Sequence, residues 1–430
     1  MKTLIKQGRI VDPSQNLDAV MDLLIQDGKI AALAAHIEEP ADNVYDAKGL
    51  VVVPGLIDIH THLREPGLEA KEDIVTGTMA AAAGGITRVA CMPNTKPVID
   101  TSIVLSGVKE RAEKEGYVHV EVIGAITKGE QGKELAEMGD MAARGAMGFS
   151  DDGHFVESPT VMMLAAKYVG AFDKPLLCHD IDEEMNHSGY MHEGAVSAAL
   201  GIPGIPALAE DICVARDALI AQYTGTHIHI CHITTKGCVE IIREAKRRGV
   251  PITCETTVQH LTLTDEACRT YSTAARISPP LRSWDHVKAL REGLKDGTID
   301  AIVTDHAPHA PEEKDVEFRY APNGFCGLET SVGVALTDLV HTGELTLNEI
   351  INAMSTNPAK IMQLDAGSLQ VGKAADITIL DLDKEWTVDS SKFYTRGKVT
   401  PFEGKQCRGK AVATIVDGKF VMKDGVVWKK

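Results

Sequence analysis

Apolar and polar positions along this chain fall into two regimes. Through the middle, short runs rich in Val, Ile, Ala and Cys alternate with longer stretches whose apolar residues recur every three to four positions. The runs predict strands at 51–59, 86–92, 118–126, 145–150, 175–179, 226–232, 250–255 and 299–304. Helical patterns lie between most of them, at 71–83, 101–115, 158–170 and 235–248. The last, TKGCVEIIREAKRR, carries an apolar stripe and a basic end that suits the helix dipole. Eight strands alternating with helices predict an α/β fold, a (β/α)8 barrel of TIM type. The rival is a doubly wound open sheet. That fold wants a Gly-rich phosphate loop after its first strand, and here the first strand ends in His60-Thr61-His62.

The two ends of the chain read differently. Residues 1–50 and the far C-terminus carry short β-like runs broken by Gly, Pro and Asp-Gly pairs. Asp417–Gly418 and Asp424–Gly425 predict hairpins. The economical expectation is a small β-sandwich domain assembled from both ends, 1–52 and 365–430, with a barrel of 53–364 inserted between them.

Composition sharpens this picture. The chain has 430 residues, enough for a large barrel and a companion domain, and 44% of them are hydrophobic. The formal net charge of −17 disfavours nucleic acid and anionic membranes as partners. Aromatics at 4% argue against a base-stacking or sugar-stacking surface. No run approaches a membrane span, and the N-terminal MKTLIKQGRIVDP is too polar for a signal peptide. Nine cysteines is an odd number; Cys91, Cys178, Cys231 and Cys254 sit inside apolar runs. Buried free thiols in a reducing cytoplasm are expected rather than a disulfide framework.

Chemistry gathers at the strand ends. In a strand, Asp58, His60 and His62 share one face. His179 ends the fifth strand, His232 the sixth, and Asp305 follows the eighth; Asp151 and Asp152 follow the fourth. In a barrel these positions converge on one mouth. Four histidines with aspartates suffice for two metal ions sharing a bridging carboxylate. Imidazole with carboxylate suits zinc, with manganese or cobalt as alternatives. In THIHICHI, His227, His229 and Cys231 share one face and His232 the other, so His232 is taken as the inward ligand and His229 as facing the helices. Two close metals with a bridging water supply a hydroxide at neutral pH and polarise a carbonyl, which is hydrolytic chemistry for an amide, ester or cyclic imide. Asp305 is the candidate proton carrier. Arg64 is placed to clamp a carboxylate, with Asn94 and His309 completing an anion pocket. The polar stretch 306–324 reads as a lid over the mouth.

DIHTHLREPG and VTDHAPHAPEEK resemble the two signature segments of the dihydroorotase family, within the amidohydrolase superfamily. MPNT at 92–95, SDDG at 150–153, SPPLR at 278–282 and GFCGLET at 324–330 extend the resemblance over nearly the whole chain, toward the long bacterial type. It implies reversible hydrolysis of dihydroorotate to N-carbamoyl-aspartate in pyrimidine biosynthesis. It implies one or two zinc ions, two favoured, with His60, His62 and Asp305 on the first, His179 and His232 on the second, and Asp152 bridging. Many relatives bridge with a carboxylated lysine; here the fourth strand ends in Ser150-Asp151-Asp152, so the chain resembles the aspartate-bridged branch. Arg64, Asn94 and His309 match the family's substrate-carboxylate binders, and Asn323 and Gly324 its backbone contacts. Ser278 stands where the family often has asparagine, with a shorter reach. A homodimer, and association with aspartate carbamoyltransferase, follow by analogy. The alternatives are an allantoinase or hydantoinase, which usually carry the lysine and need no arginine at 64, and a non-catalytic scaffold, which would shed ligands that this chain keeps.

Overall fold

The computed structural model describes residues 2–187 and 189–429. Eight parallel strands form a nearly closed barrel: Leu56–Thr61, Ile86–Cys91, His119–Val122 continued by Gly124–Ala125, Phe149–Ser150, Leu176–Cys178, Ile228–Ile230, Ile252–Thr257 and Ala301–Val303. The eighth strand returns to the first: His62 N donates to His306 O at 2.8 Å, and Thr304 Oγ1 donates to Asp58 Oδ2 at 2.6 Å. Ile57, Ile59, Ala90, Met92, Ile123, Leu177, Ala301 and Val303 share a buried cluster inside the barrel. Alternate residues such as Leu56, Cys91, Ile230 and Ile302 pack outward with helix residues Ile74, Leu105, Val239 and Leu290. This inward and outward alternation is the period-two pattern of strands covered on both faces.

The expected helices form as Ile74–Gly84, Ser102–Glu115, Pro159–Val169 and Lys236–Arg247. In the last, Thr235 caps the first turn by accepting from Cys238 N, and Cys238, Val239, Ile242 and Ala245 form the buried stripe. Among the described residues, no helix is long and apolar enough to cross a membrane.

The first expected strand, 51–59, is two strands. Val51–Pro54 leaves the barrel and pairs antiparallel with Ile377–Leu380 and parallel with Arg9 and Ile10. Leu56–Thr61 begins the barrel. The break is Gly55, where a Cβ would lie 2.2 Å from Thr87 Oγ1, so only glycine lets the chain change direction here.

Both chain ends enter one nine-stranded sheet. Its central pair, Val51–Pro54 with Ile377–Leu380, joins an N-terminal strand to a C-terminal one, and Ile5, Ile10, Leu23 and Ile25 share a core with Ile377, Ile379, Ala413 and Ile415. Strands from both chain ends thus lie in one continuous hydrogen-bonded sheet with a common core. At both expected hairpins the Asp and the Gly take positive φ, 50° and 75° at Asp417–Gly418, 52° and 82° at Asp424–Gly425. That is the type I′ pattern that makes Asp-Gly a hairpin signal.

Candidate metal centre

The barrel mouth gathers the expected ligands around one carboxylate. Asp152 Oδ1 lies 3.2 Å from His60 Nε2, 3.5 Å from His179 Nδ1 and 3.6 Å from His232 Nε2, and Asp152 Oδ2 lies 3.4 Å from His62 Nε2. Asp305 Oδ1 lies 3.2 Å from His62 Nε2 and 3.7 Å from His60 Nε2. His179 Nδ1 and His232 Nε2 are 2.9 Å apart. The choice between the adjacent aspartates has a geometric answer. Asp151 Oδ1 accepts from the backbone N–H groups of Ile126 and Thr127, and its other oxygen from the Thr127 hydroxyl, so it ties down the third strand's end while Asp152 enters the cluster.

Two parity arguments fail in detail. Asp58 does not join the histidines; its carboxylate is spent on Thr304, and the strand's register shifts between Asp58 and Thr61 break strict alternation. His229 does not face the helices. Ile228 and Ile230 do, while His229 points inward, 3.1 Å from Glu255 Oε2. His232 reaches the cluster because its backbone turns to a left-handed φ of 31°, which ends the strand's alternation one residue early.

The donor set fits a cation. His60 Nε2 and Asp152 Oδ1 are buried without hydrogen-bond partners, and polar atoms in that state cost free energy unless something pairs them. Burial lowers the His60 imidazole, but Asp152 and Glu255 outweigh it and hold it well above its ordinary value. Burial raises the carboxyls of Asp152 and Asp305; the surrounding imidazoles prevail and hold both below the usual range. The cluster thus sets carboxylate oxygens among imidazole nitrogens, a donor set that suits a divalent cation. Among the described residues, the groups at ligand spacing include His60, His62 and Asp305, and Asp152, His179 and His232 here at the mouth; His119, Asp376 and Asp417, and Cys178, Asp180 and Asp217, form others elsewhere. Cys231 Sγ also lies near His60 and Asp152, inside the barrel.

A cavity of about 260 Å³ opens above the cluster. Arg64, Asn94, Ser278, His309, Asn323 and Gly324 all line it, with His62, Asp152, His179, His232 and Asp305. Arg64 is buried, with Nε donating to Pro308 O at 3.3 Å. Asn94 is already engaged: its Oδ1 accepts from His62 Nδ1 at 2.9 Å and its Nδ2 donates to Asp152 O at 3.2 Å, so it orients a cluster histidine. His309 Nε2 donates to Asn323 O at 2.7 Å. Burial and the neighbouring Arg64 push its imidazole down to about 3, so it is neutral at pH 7. Ser278 Oγ is buried with no partner. At Gly324, φ is +116° and a Cβ would lie 2.6 Å from that of Ala307.

Glu255 was missed at the level of sequence. It ends the seventh apolar run, VPITCE, so the signal that marked the other strand ends marked it as well. His154, Glu183 and His187 were also unmarked; they line the cavity from the turn after Asp152 and from the short helix Glu183–His187, with no strand to announce them.

Comparison with known proteins decides the family. A model described as dihydro-orotase-like matches residues 49–238, and an amidohydrolase family model matches 283–422. The dihydroorotase of Syntrophus aciditrophicus is 49% identical over 99% of this chain and 100% of its own length. That of Pelotomaculum thermopropionicum is 51% identical with the same coverage. The chain belongs to the dihydroorotase family. Among solved structures, the L-hydantoinase of Arthrobacter aurescens superposes with a TM-score of 0.91 at 28% identity, covering 100% of this chain and 97% of that one. The dihydropyrimidinase of Brevibacillus agri, at 22% identity and a TM-score of 0.87, shares the fold. Dihydroorotase-family membership thus sits on an architecture shared with the hydantoinase and dihydropyrimidinase structures.

Proposed function

We propose that this protein is a dihydroorotase, a metal-dependent enzyme that opens and closes the cyclic amide of (S)-dihydroorotate to give N-carbamoyl-L-aspartate in pyrimidine biosynthesis. The observation that carries the reading is the pairing, in one cavity, of a buried guanidinium with a His/Asp cluster: Arg64 faces the same space as Asp152 and Asp305. A substrate bearing both a carboxylate and a cyclic amide fits that pairing. The hydantoinase likeness reflects shared architecture, since this chain has Ser150-Asp151-Asp152 and no lysine at the fourth strand's end.

His60, His62 and Asp305 would hold one divalent ion and His179 and His232 a second, with Asp152 between them; zinc suits these donors. Bound there, such ions supply Lewis acidity to the amide carbonyl and lower the pKa of a water. The protein's own groups do the rest. Arg64 holds the substrate carboxylate in bidentate fashion. Neutral His309 and the free Ser278 hydroxyl complete the binding surface beside the Asn323–Gly324 backbone. Asn94 keeps His62 turned inward. Asp305, ionised in this setting, takes the proton from the attacking water and returns it to the leaving nitrogen. The segment 306–324 excludes bulk water as a lid. Residues 1–52 and 365–430 make a companion domain to the barrel of 53–364. Nine buried free thiols support a cytoplasmic setting. A homodimer is part of the reading: helix Leu208–Thr224 exposes Leu208, Ile212, Leu219 and Tyr223 along one side, an uncharged stripe on a chain of net charge −17. Sedimentation equilibrium reads the oligomer directly.

The test is hydrolysis of dihydroorotate, followed by its ultraviolet absorbance, before and after metal removal and zinc restoration. Activity should vanish and return. A folded, metal-loaded sample that leaves dihydroorotate untouched would overturn the reading, and hydantoin and allantoin are then the substrates to try.

A further inference from the structure

For an imidazole to offer a lone pair from one nitrogen, its proton must sit on the other. What holds that proton differs around Asp152. His62 Nδ1 donates to a neutral amide, Asn94 Oδ1. His232 Nδ1 has no hydrogen-bond partner. His60 Nδ1 lies 2.6 Å from Glu255 Oε1, and both side chains are 0% exposed. The second oxygen, Glu255 Oε2, lies 3.1 Å from His229 Nε2; His229 Nδ1 lies 2.8 Å from Thr253 Oγ1; and that hydroxyl lies 2.7 Å from His227 Nε2. One consistent set of protons satisfies the whole chain. His227 donates to Thr253, Thr253 to His229, His229 to one oxygen of Glu255, and His60 to the other. In that arrangement His60 Nε2 is left bare, facing Asp152.

We propose that Glu255 is a positioning residue for the metal centre, fixing the Nδ1–H tautomer of His60 and raising the basicity of its Nε2, while His229 holds the carboxylate in place from behind. The proposal rests on His60 being a metal ligand. It adds a carboxylate that touches neither metal nor substrate yet sets how tightly one ion is held. A carboxylate behind a ligating histidine both orients the ring and strengthens it as a donor. A residue present only to fill the barrel or satisfy hydrogen bonds could equally be glutamine, since the amide can accept from His60 and donate to His229. Only the negative charge separates the two, and the charge is what strengthens the imidazole.

Glu255→Gln is therefore the informative variant. The probe is metal alone, Zn2+ or Co2+, in competition with a chromophoric chelator and without substrate, so the result stands whether or not dihydroorotate is turned over. The tight-binding class should weaken on the order of 10- to 100-fold. At limiting metal, kcat should fall with KM for dihydroorotate little changed. Glu255→Asp, which retains the charge, should bind metal more tightly than Glu255→Gln. Wild-type metal affinity in folded Glu255→Gln would overturn the proposal. If that variant does not fold, His229→Gln leaves the Glu255–His60 pair intact while altering its support; it should weaken metal binding by a smaller factor, and unchanged affinity there would equally count against the proposal.

Discussion

Arg64 and Asp305 face one cavity but should fail in different ways when removed. Arg64→Ala takes away two charge-assisted hydrogen bonds worth about 1.5–3 kcal/mol each, so KM should rise by roughly two to four orders of magnitude while kcat is largely kept. Asp305→Ala removes a proton carrier, and turnover should fall by about 10²–10⁴ with the fold intact by circular dichroism. Steady-state kinetics on both variants separates the roles, and near-normal turnover without Asp305 would remove the proposed proton transfer. At this scale much of the site was legible. His60 and His62 announce themselves by a two-residue spacing at the end of an apolar run, and His179, His232 and Asp305 by the same placement. Asp151 and Asp152 could not be separated by spacing, because backbone N–H groups of the neighbouring strand capture one and leave the other. Counting faces also misplaced His229, since the count assumes extended backbone and His232 has left it. Glu255 ends an apolar run as the ligands do, but its partner His60 comes from another strand, so placement alone does not tell its role.

Among the elements, the segment 306–324 is less loose than its composition suggests. Lys314 is buried, and its ammonium donates to Pro322 O at 2.7 Å and Thr273 O at 3.0 Å. Arg276 Nη1 donates to Phe318 O at 2.9 Å from the same neighbouring loop. Burial, with Arg276 nearby, pushes Lys314 down to about 7. Lys314→Ala should free the segment: amide exchange across 306–324 should quicken, and kcat/KM should drop through His309 and Gly324, which the segment carries. Exchange rates equal to wild type would mean that other contacts hold it. A lysine gripping carbonyls reads in sequence as an exposed charge, so the polar composition of the segment hides how it is anchored. The helices were legible because their stripes face a large core. The split of 51–59 was not, because Val51–Pro54 and Leu56–Thr61 are both apolar runs and differ only in which sheet claims them.

The whole molecule should be sensitive to acid for a reason spread over its interior. Burial, with Arg282 and His286 close by, pushes His192 down to about 3, and burial beside His229 pushes His227 down to about 4. An unfolded histidine titrates near about 6.5. Between those values the unfolded chain binds protons that the folded chain refuses, so the contribution of these histidines to stability rises with pH across that window. Each such group adds at most about 1.4 kcal/mol per pH unit. Buried carboxyls that are pushed up, Asp58 to about 7, Glu329 to about 8 and Glu130 to about 9, pull the other way, so the histidine contribution is read as a difference: wild type minus His227→Asn in melting temperature should climb from about pH 4 to about 6.5 and then level off. A flat difference over that range would contradict it. The barrel itself was readable as alternation of strand and helix; that both chain ends would pair within one sheet was readable only as a likeness of composition.

That sheet has a consequence for how the chain is made. Leu56 N donates to Thr378 Oγ1, 322 residues further along, and Val51–Pro54 finds its antiparallel partner only in Ile377–Leu380. On the ribosome, the N-terminal strands emerge first and wait. At roughly 5–20 residues per second of synthesis, the apolar edge Val51-Val52-Val53 stays unpaired for roughly 15 seconds to a minute. During that interval the nascent chain offers an open strand edge to any neighbour, so the polysome, rather than the finished enzyme, is where this fold is most exposed to aggregation and most in need of a chaperone.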